Sequence, residues 1–103
     1  MRNENDVKKA VKVVLMSTPK CWWFMPAMNG FGRSGVPDFI GTVDGRMFAV
    51  ETKFGRGTTT VHQDREISAI RKSGAVAWVV NEETLEAWTE LFREWVSSNA
   101  SHS

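Results

Sequence analysis

Three residues of this chain have the types and spacing to do hydrolytic chemistry with a metal: Asp38, Glu51 and Lys53. Between the two acids lie an apolar run from Phe39 to Val43, the dipeptide Asp44-Gly45, and a second run from Arg46 to Val50. Asp-Gly between two such runs is a strong signal for a hairpin with a two-residue loop. In that register Val43 pairs with Arg46, Asp38 lies directly opposite Glu51, and Val36 lies opposite Lys53. Opposed residues share a face of the sheet, with Cβ atoms about 4.5–5.5 Å apart, and like charges so placed repel. A cation between them removes the conflict. Lys53 projects from the same face because side chains alternate along a strand. The hairpin therefore draws a metal site with a lysine beside it, and its hard oxygen donors suit Mg²⁺ or Mn²⁺. The competing reading is a surface Glu–Lys pair next to a capping aspartate.

The elements that must position these residues follow from periodicity. Residues Asn3 to Ser17 read as an amphipathic helix with Val7, Val11, Val14 and Leu15 on one stripe and Lys8, Lys9 and Lys12 mostly outside it. Glu4 falls at the centre of that stripe, so it is either a core-side carboxylate near the site or a solvated first-turn acid favouring the helix dipole. Asp6, well round the helix, is the reserve candidate. Pro19 ends this region. Cys21 to Met28 reads as a strand, with Pro26 indicating an edge or a bulge. Its aromatics are assigned to the core rather than to a base-stacking platform. Asn29 to Gly35 is a glycine-rich loop in which Arg33 either grips a phosphate oxygen or belongs to an ordinary connection.

The hairpin strands are apolar on both faces near their turn and read as central, with charge only at the open end. Phe54 to Val61 is a polar loop offering Arg56 to a nucleic-acid backbone or serving as a plain connector. Gln63 to Ser73 is a helix stopped by Gly74, and Gln63 shares the buried stripe of Ile67 and Ile70. Ala75 to Val80 has the continuous apolar character of a buried strand, parallel to its neighbour after a helical crossover. Glu82 to Ser97 is a final helix bearing Leu85, Trp88, Leu91, Phe92, Trp95 and Val96. Its two tryptophans suit the core or a dimer interface. The order gives an α/β fold, helices around a mixed β-sheet.

The 103 residues are expected to form a single domain over 1–97 with a disordered polar tail at 98–103. A 42% hydrophobic and 24% charged composition is that of an ordinary globular protein. The net charge of +1 gives no global sign of nucleic-acid binding, so any basic surface is local. The one cysteine, Cys21, excludes an internal disulfide, fits a reducing compartment, and reads as a structural thiol. No apolar run approaches membrane-spanning length and no signal-peptide core is present, so the expected location is cytoplasmic, without membrane partners. His62 reads as an exposed loop residue, and no Cys/His spacing suggests zinc.

Pro37-Asp38 followed by Glu51-x-Lys53 matches the motif of the PD-(D/E)xK nucleases. The surroundings resemble the VRR-NUC branch: Gly-Arg-Ser-Gly-Val-Pro-Asp at 32–38, Val-Glu-Thr-Lys at 50–53, Gln63, and Gly74 before an apolar strand. The likeness spans roughly residues 4 to 85. It implies a restriction-endonuclease-like core in which Asp38, Glu51, the main-chain carbonyl of Thr52 and Glu4 hold Mg²⁺ or Mn²⁺. Asp38, Glu51, Lys53 and Gln63 would form the catalytic group. Family members place Val where this chain has Thr52, a departure expected to leave the chemistry untouched.

The resemblance further implies a metal-dependent endodeoxyribonuclease leaving 5′-phosphates. Stand-alone forms of the family are typically homodimers acting on branched DNA, four-way (Holliday) junctions included, and often come from phages. A phage replication, recombination or repair role in the host cytoplasm follows as the expectation, with Arg33 and Arg56 as DNA contacts. The alternatives are a restriction-like or nicking nuclease of the same fold, and a DNA-binding module without catalysis. Retention of opposed carboxylates argues against the last.

Overall fold

In a computed structural model of the protein, Asp44 and Gly45 take positive φ values of 51° and 86° and close a two-residue hairpin. The structure describes residues 1–27 and 32–100, for 99 and 100 the backbone alone. Met28 and Asn29, assigned above to a strand and a loop, lie outside the described residues, as do 101–103. The hairpin joins β2 (Phe39–Val43) to β3 (Arg46–Thr52) in the expected register, from Val43 opposite Arg46 to Phe39 opposite Val50. β1 (Cys21–Phe24) adds antiparallel to β2, and β4 (Val76–Val80) adds parallel to β3. The sheet order is β1-β2-β3-β4, so β2 and β3 are central.

Helices cover the two faces unequally. α1 (Glu4–Met16) and α3 (Leu85–Ala100) pack over Phe39, Val43, Phe48, Val50 and Val80, burying Val7, Val11, Leu15, Trp88 and Phe92. α2 (Val61–Lys72) packs on the other face over Ala49 and Ala77 through Ile67, with Ile40 and Ile70 at the margin. This gives the expected α/β architecture, a mixed sheet between helices. β4 lies at an edge rather than inside the sheet. Its run is apolar because Val76, Trp78 and Val80 feed the larger core, whereas Val79 on the opposite side is exposed.

Trp88 and Trp95, read as core or dimer surface, belong to the core. Trp88 stacks on Phe92 at 5.3 Å, Trp95 meets Phe48 at 6.0 Å, and Trp78 contacts all three α3 rings. Leu91 alone of the expected stripe is exposed. α3 continues through Ser98 to Ala100, beyond the expected start of the tail. Arg46, at the hairpin turn, lies 4.5 Å over the Trp95 ring and donates to the Trp95 carbonyl at 2.6 Å, tying the turn to α3. Phe92 is fully buried among these rings. Phe92→Ala should destabilise the domain by about 3–5 kcal/mol, a large share of a small domain's stability, measured by urea unfolding.

Among the described residues, no helix is long and apolar enough to cross a membrane.

Candidate active site

The strand ladder stops at Phe39 and Val50, one step short of the two acids. Pro37, which has no N–H to give, is buried just before Asp38. Freed from the ladder, the Asp38 N–H donates to Glu51 Oε1 at 3.1 Å, and Asp38 Oδ2 accepts from the Thr52 N–H at 3.0 Å and from Thr52 Oγ1 at 2.5 Å. The two carboxylates thus meet at the open end of the hairpin. They are interlocked through main-chain groups, not merely opposed across a regular pair. The family resemblance implies a metal-binding role for the Thr52 carbonyl and none for its side chain. Its hydroxyl instead fixes Asp38. Thr52→Val, which keeps the shape and removes this donor, should cost about 1.5–3 kcal/mol of stability by thermal unfolding.

Glu51 is 2% exposed, and its pKa is pushed up to about 7. Burial is the main cause, reinforced by the neighbouring Asp38 charge and the hydrogen bonding between the two carboxyls. Lys53 acts in the opposite direction, its Nζ 3.6 Å from Glu51 Oε2. Lys53 itself is set by the sheet, since its N–H donates to the Val80 carbonyl at 2.9 Å, just beyond β4's pairing with β3.

Gln63 reaches the site from α2. Thr60 caps that helix, and the Gln63 side chain closes a capping box by accepting from the Thr60 N–H at 2.9 Å. Its Nε2 then donates to Glu51 Oε2 at 2.6 Å. Gly35 makes this approach feasible. It has φ +81°, and a Cβ there would sit 2.4 Å from the His62 carbonyl. The Gly-Val-Pro-Asp segment can therefore lie directly against the start of α2.

From the other side comes a residue that sequence reasoning missed. Lys8 on α1, placed outside the apolar stripe, puts Nζ 3.3 Å from Glu4 Oε2 and 3.9 Å from Asp38 Oδ1. Glu4 therefore reaches the pair through Lys8 rather than as a third gathered acid. The available signal was the Glu4–Lys8 spacing of one helical turn. Asp6, the reserve candidate, is committed elsewhere. Its carboxylate accepts from the Arg2 N–H, which lowers its pKa, and its own N–H is capped by Asn3.

The proposed DNA contacts separate. Arg33 makes a bidentate pair with Glu66 of α2, at 2.7 and 2.9 Å, which staples its loop to that helix. Arg56 is exposed on a turn whose Gly55 N–H is held by the Glu82 carboxylate. Cys21 is a free, half-buried thiol whose pKa is raised by burial.

Among the described residues, no group of three or more His, Cys, Asp and Glu side chains is gathered to hold an ion. A buried and a half-buried carboxylate, Glu51 and Asp38, with adjoining carbonyl oxygen nonetheless fit Mg²⁺, which usually takes one or two protein carboxylates and completes its shell with water and substrate phosphate. Two ammonium groups flanking two interlocked carboxylates form a centre able to accept a phosphodiester and offset its charge.

Solved structures carry the same architecture. One described as "VRR_NUC domain" is 28% identical, with a TM-score of 0.68, over 84% of this chain and 94% of that one. The chain has the fold of a VRR-NUC domain. A second structure, "VRR_NUC domain protein", is 17% identical with a TM-score of 0.72, over 92% of this chain and 88% of that one. No family model matches the sequence, and no curated protein matches it. The VRR-NUC fold is a nuclease-family, restriction-endonuclease-like α/β fold, and the acidic pair sits at the open end of its central hairpin.

Proposed function

We propose that this protein is a metal-dependent endonuclease that hydrolyses phosphodiester bonds in branched DNA, four-way junctions foremost, and acts as a homodimer. The observation that carries the reading is the interlocked Asp38–Glu51 pair with Lys53 3.6 Å from Glu51, within a VRR-NUC fold. Asp38, Glu51 and the Thr52 carbonyl would hold Mg²⁺ or Mn²⁺, with Glu4 at the periphery beyond Lys8. A divalent ion supplies Lewis acidity toward the phosphate and a water of lowered pKa.

The chain's own groups do the rest. Lys53 orients the attacking water and offsets charge developing on the phosphate oxygens, which contributes most where water is excluded. Gln63 holds Glu51 in place and positions the water or the phosphate. Thr52 fixes Asp38, and Lys8 adds a second ammonium on the α1 side. Cleavage leaves a 5′-phosphate and a 3′-hydroxyl. A C2 dimer supplies the two sites that symmetric cutting of a junction needs.

The test is cleavage of end-labelled four-way junction, splayed-arm and linear duplex DNA with Mg²⁺ or Mn²⁺, wild type beside Lys53→Ala. Junction cutting by the wild type and not by the variant supports the reading. Binding without cutting of any substrate overturns it in favour of a non-catalytic DNA-binding module.

A further inference from the structure

β1 does not behave as the core strand its composition suggests. Trp23 turns inward, 5.7 Å from Phe39. Trp22 and Phe24 turn the other way and remain 63% and 43% exposed, with ring centroids 5.5 Å apart. Trp22 pairs with Thr42 and Phe24 with Ile40, which faces α2 beside Ala49. Glu51 is two residues beyond Ala49 and shares that face by alternation. The two rings and the acidic centre therefore lie on one side of the sheet. α2 packs over β3 and β4 there, and among the described residues no helix covers the β1 flank.

Spacing relates the two features. Phe24 lies two strands across and two residues along from Glu51, roughly 12 Å between Cα atoms at ordinary sheet dimensions. At about 3.4 Å per stacked nucleotide this is roughly three to four nucleotides along one DNA strand. A strand whose phosphate sits at Asp38 and Glu51 can run across β2 toward these rings. Exposed aromatics beside a backbone-binding site are what successive unpaired bases stack on, whereas a paired duplex hides its base faces.

We propose that Trp22 and Phe24 form a stacking platform for unpaired bases flanking the scissile phosphate, so that the enzyme selects DNA with splayed strands next to the cut. This rests on the nuclease reading above and narrows its substrate. The occupant is single-stranded DNA, because the platform continues the face on which the backbone must lie.

The test is fluorescence anisotropy of a labelled oligothymidylate and a labelled linear duplex, with Ca²⁺ in place of Mg²⁺ to hold off cleavage. Wild type is compared with Trp22→Leu/Phe24→Leu, Trp22→Phe and Lys53→Ala. The double leucine variant, still apolar but without stacking rings, should bind oligothymidylate at least about tenfold more weakly and duplex almost unchanged. Trp22→Phe should keep most of the binding, and Lys53→Ala should keep the single-strand preference. In cleavage, the double variant should lose splayed-arm cutting through KM rather than kcat. Equal binding by the leucine variant, or equal loss on both DNAs, overturns the platform. So does its conversion from dimer to monomer in light scattering, which would make this face a self-contact. The binding arms stand even if the wild type cuts nothing, an outcome that would fail the nuclease reading alone.

Discussion

Glu51→Gln should abolish cleavage and at the same time make the metal-free protein more stable at pH 8. Loss of the proposed metal-binding carboxylate removes several kcal/mol of transition-state stabilisation, so a fall of roughly 10³-fold or more is expected in single-turnover assays. The gain in stability follows from the pKa of Glu51, about 7 in the folded chain against an ordinary 4.5. Between those values the native state keeps a proton that the unfolded chain has released. Stability therefore falls as pH rises through this window, and the penalty is complete above pH 7. Its size is of order 3 kcal/mol, and glutamine does not incur it. Urea unfolding in EDTA at pH 5 and pH 8 should show a pH-dependent loss in wild type that is much reduced in the variant. Mg²⁺ should then stabilise the wild type and not the variant, because ion binding draws on the ionised pair. A wild type equally stable at both pH values, without metal, would contradict this account.

Lys53→Ala should lower the cleavage rate by roughly 10²–10³-fold, the usual loss when one preorganised positive group is taken from a transition state. A second effect separates it from simple damage to the fold. Lys53 is the nearby charge that holds Glu51 down, so its removal should raise the Glu51 pKa further. The acid limb of kcat/KM, which reports the free enzyme, should move to higher pH in the variant. More Mg²⁺ should draw that limb back toward lower pH in both proteins. A rate loss with an unmoved limb would mean that Lys53 acts on the substrate alone.

The hairpin could be read from sequence because Asp-Gly admits few other turns and the apolar alternation on either side fixes its register. Asp38, Glu51 and Lys53 followed from that register, and Gln63 from its place on the buried stripe of α2. The side-chain partnerships were harder to foresee. Lys8 looked solvated on a helical wheel because nothing local shows that Asp38, thirty residues away, arrives beside it. The pairing of Arg33 with Glu66 depends on Gly35 bringing the loop onto α2, a tertiary approach with no periodic trace. The role of Thr52 was hidden because the end of the ladder, not the strand pattern, decides where Asp38 turns. Large apolar residues usually go to the core, which is the expectation for Trp22 and Phe24. Among the described residues, the placement of α2 over β3 and β4 leaves their flank without a helix.

The carboxamide of Gln63 has two employments, one atom for each: oxygen for the start of α2, nitrogen for Glu51. Winding of the helix and alignment of the acid are consequently a single ordering event. Whatever frays the first turn of α2 also takes one hydrogen bond from Glu51, and whatever holds Glu51 lends its grip to that turn. The order of the α2 N-terminus and the aim of the Glu51 carboxylate thus share one handle, a single carboxamide at the edge of the smaller core.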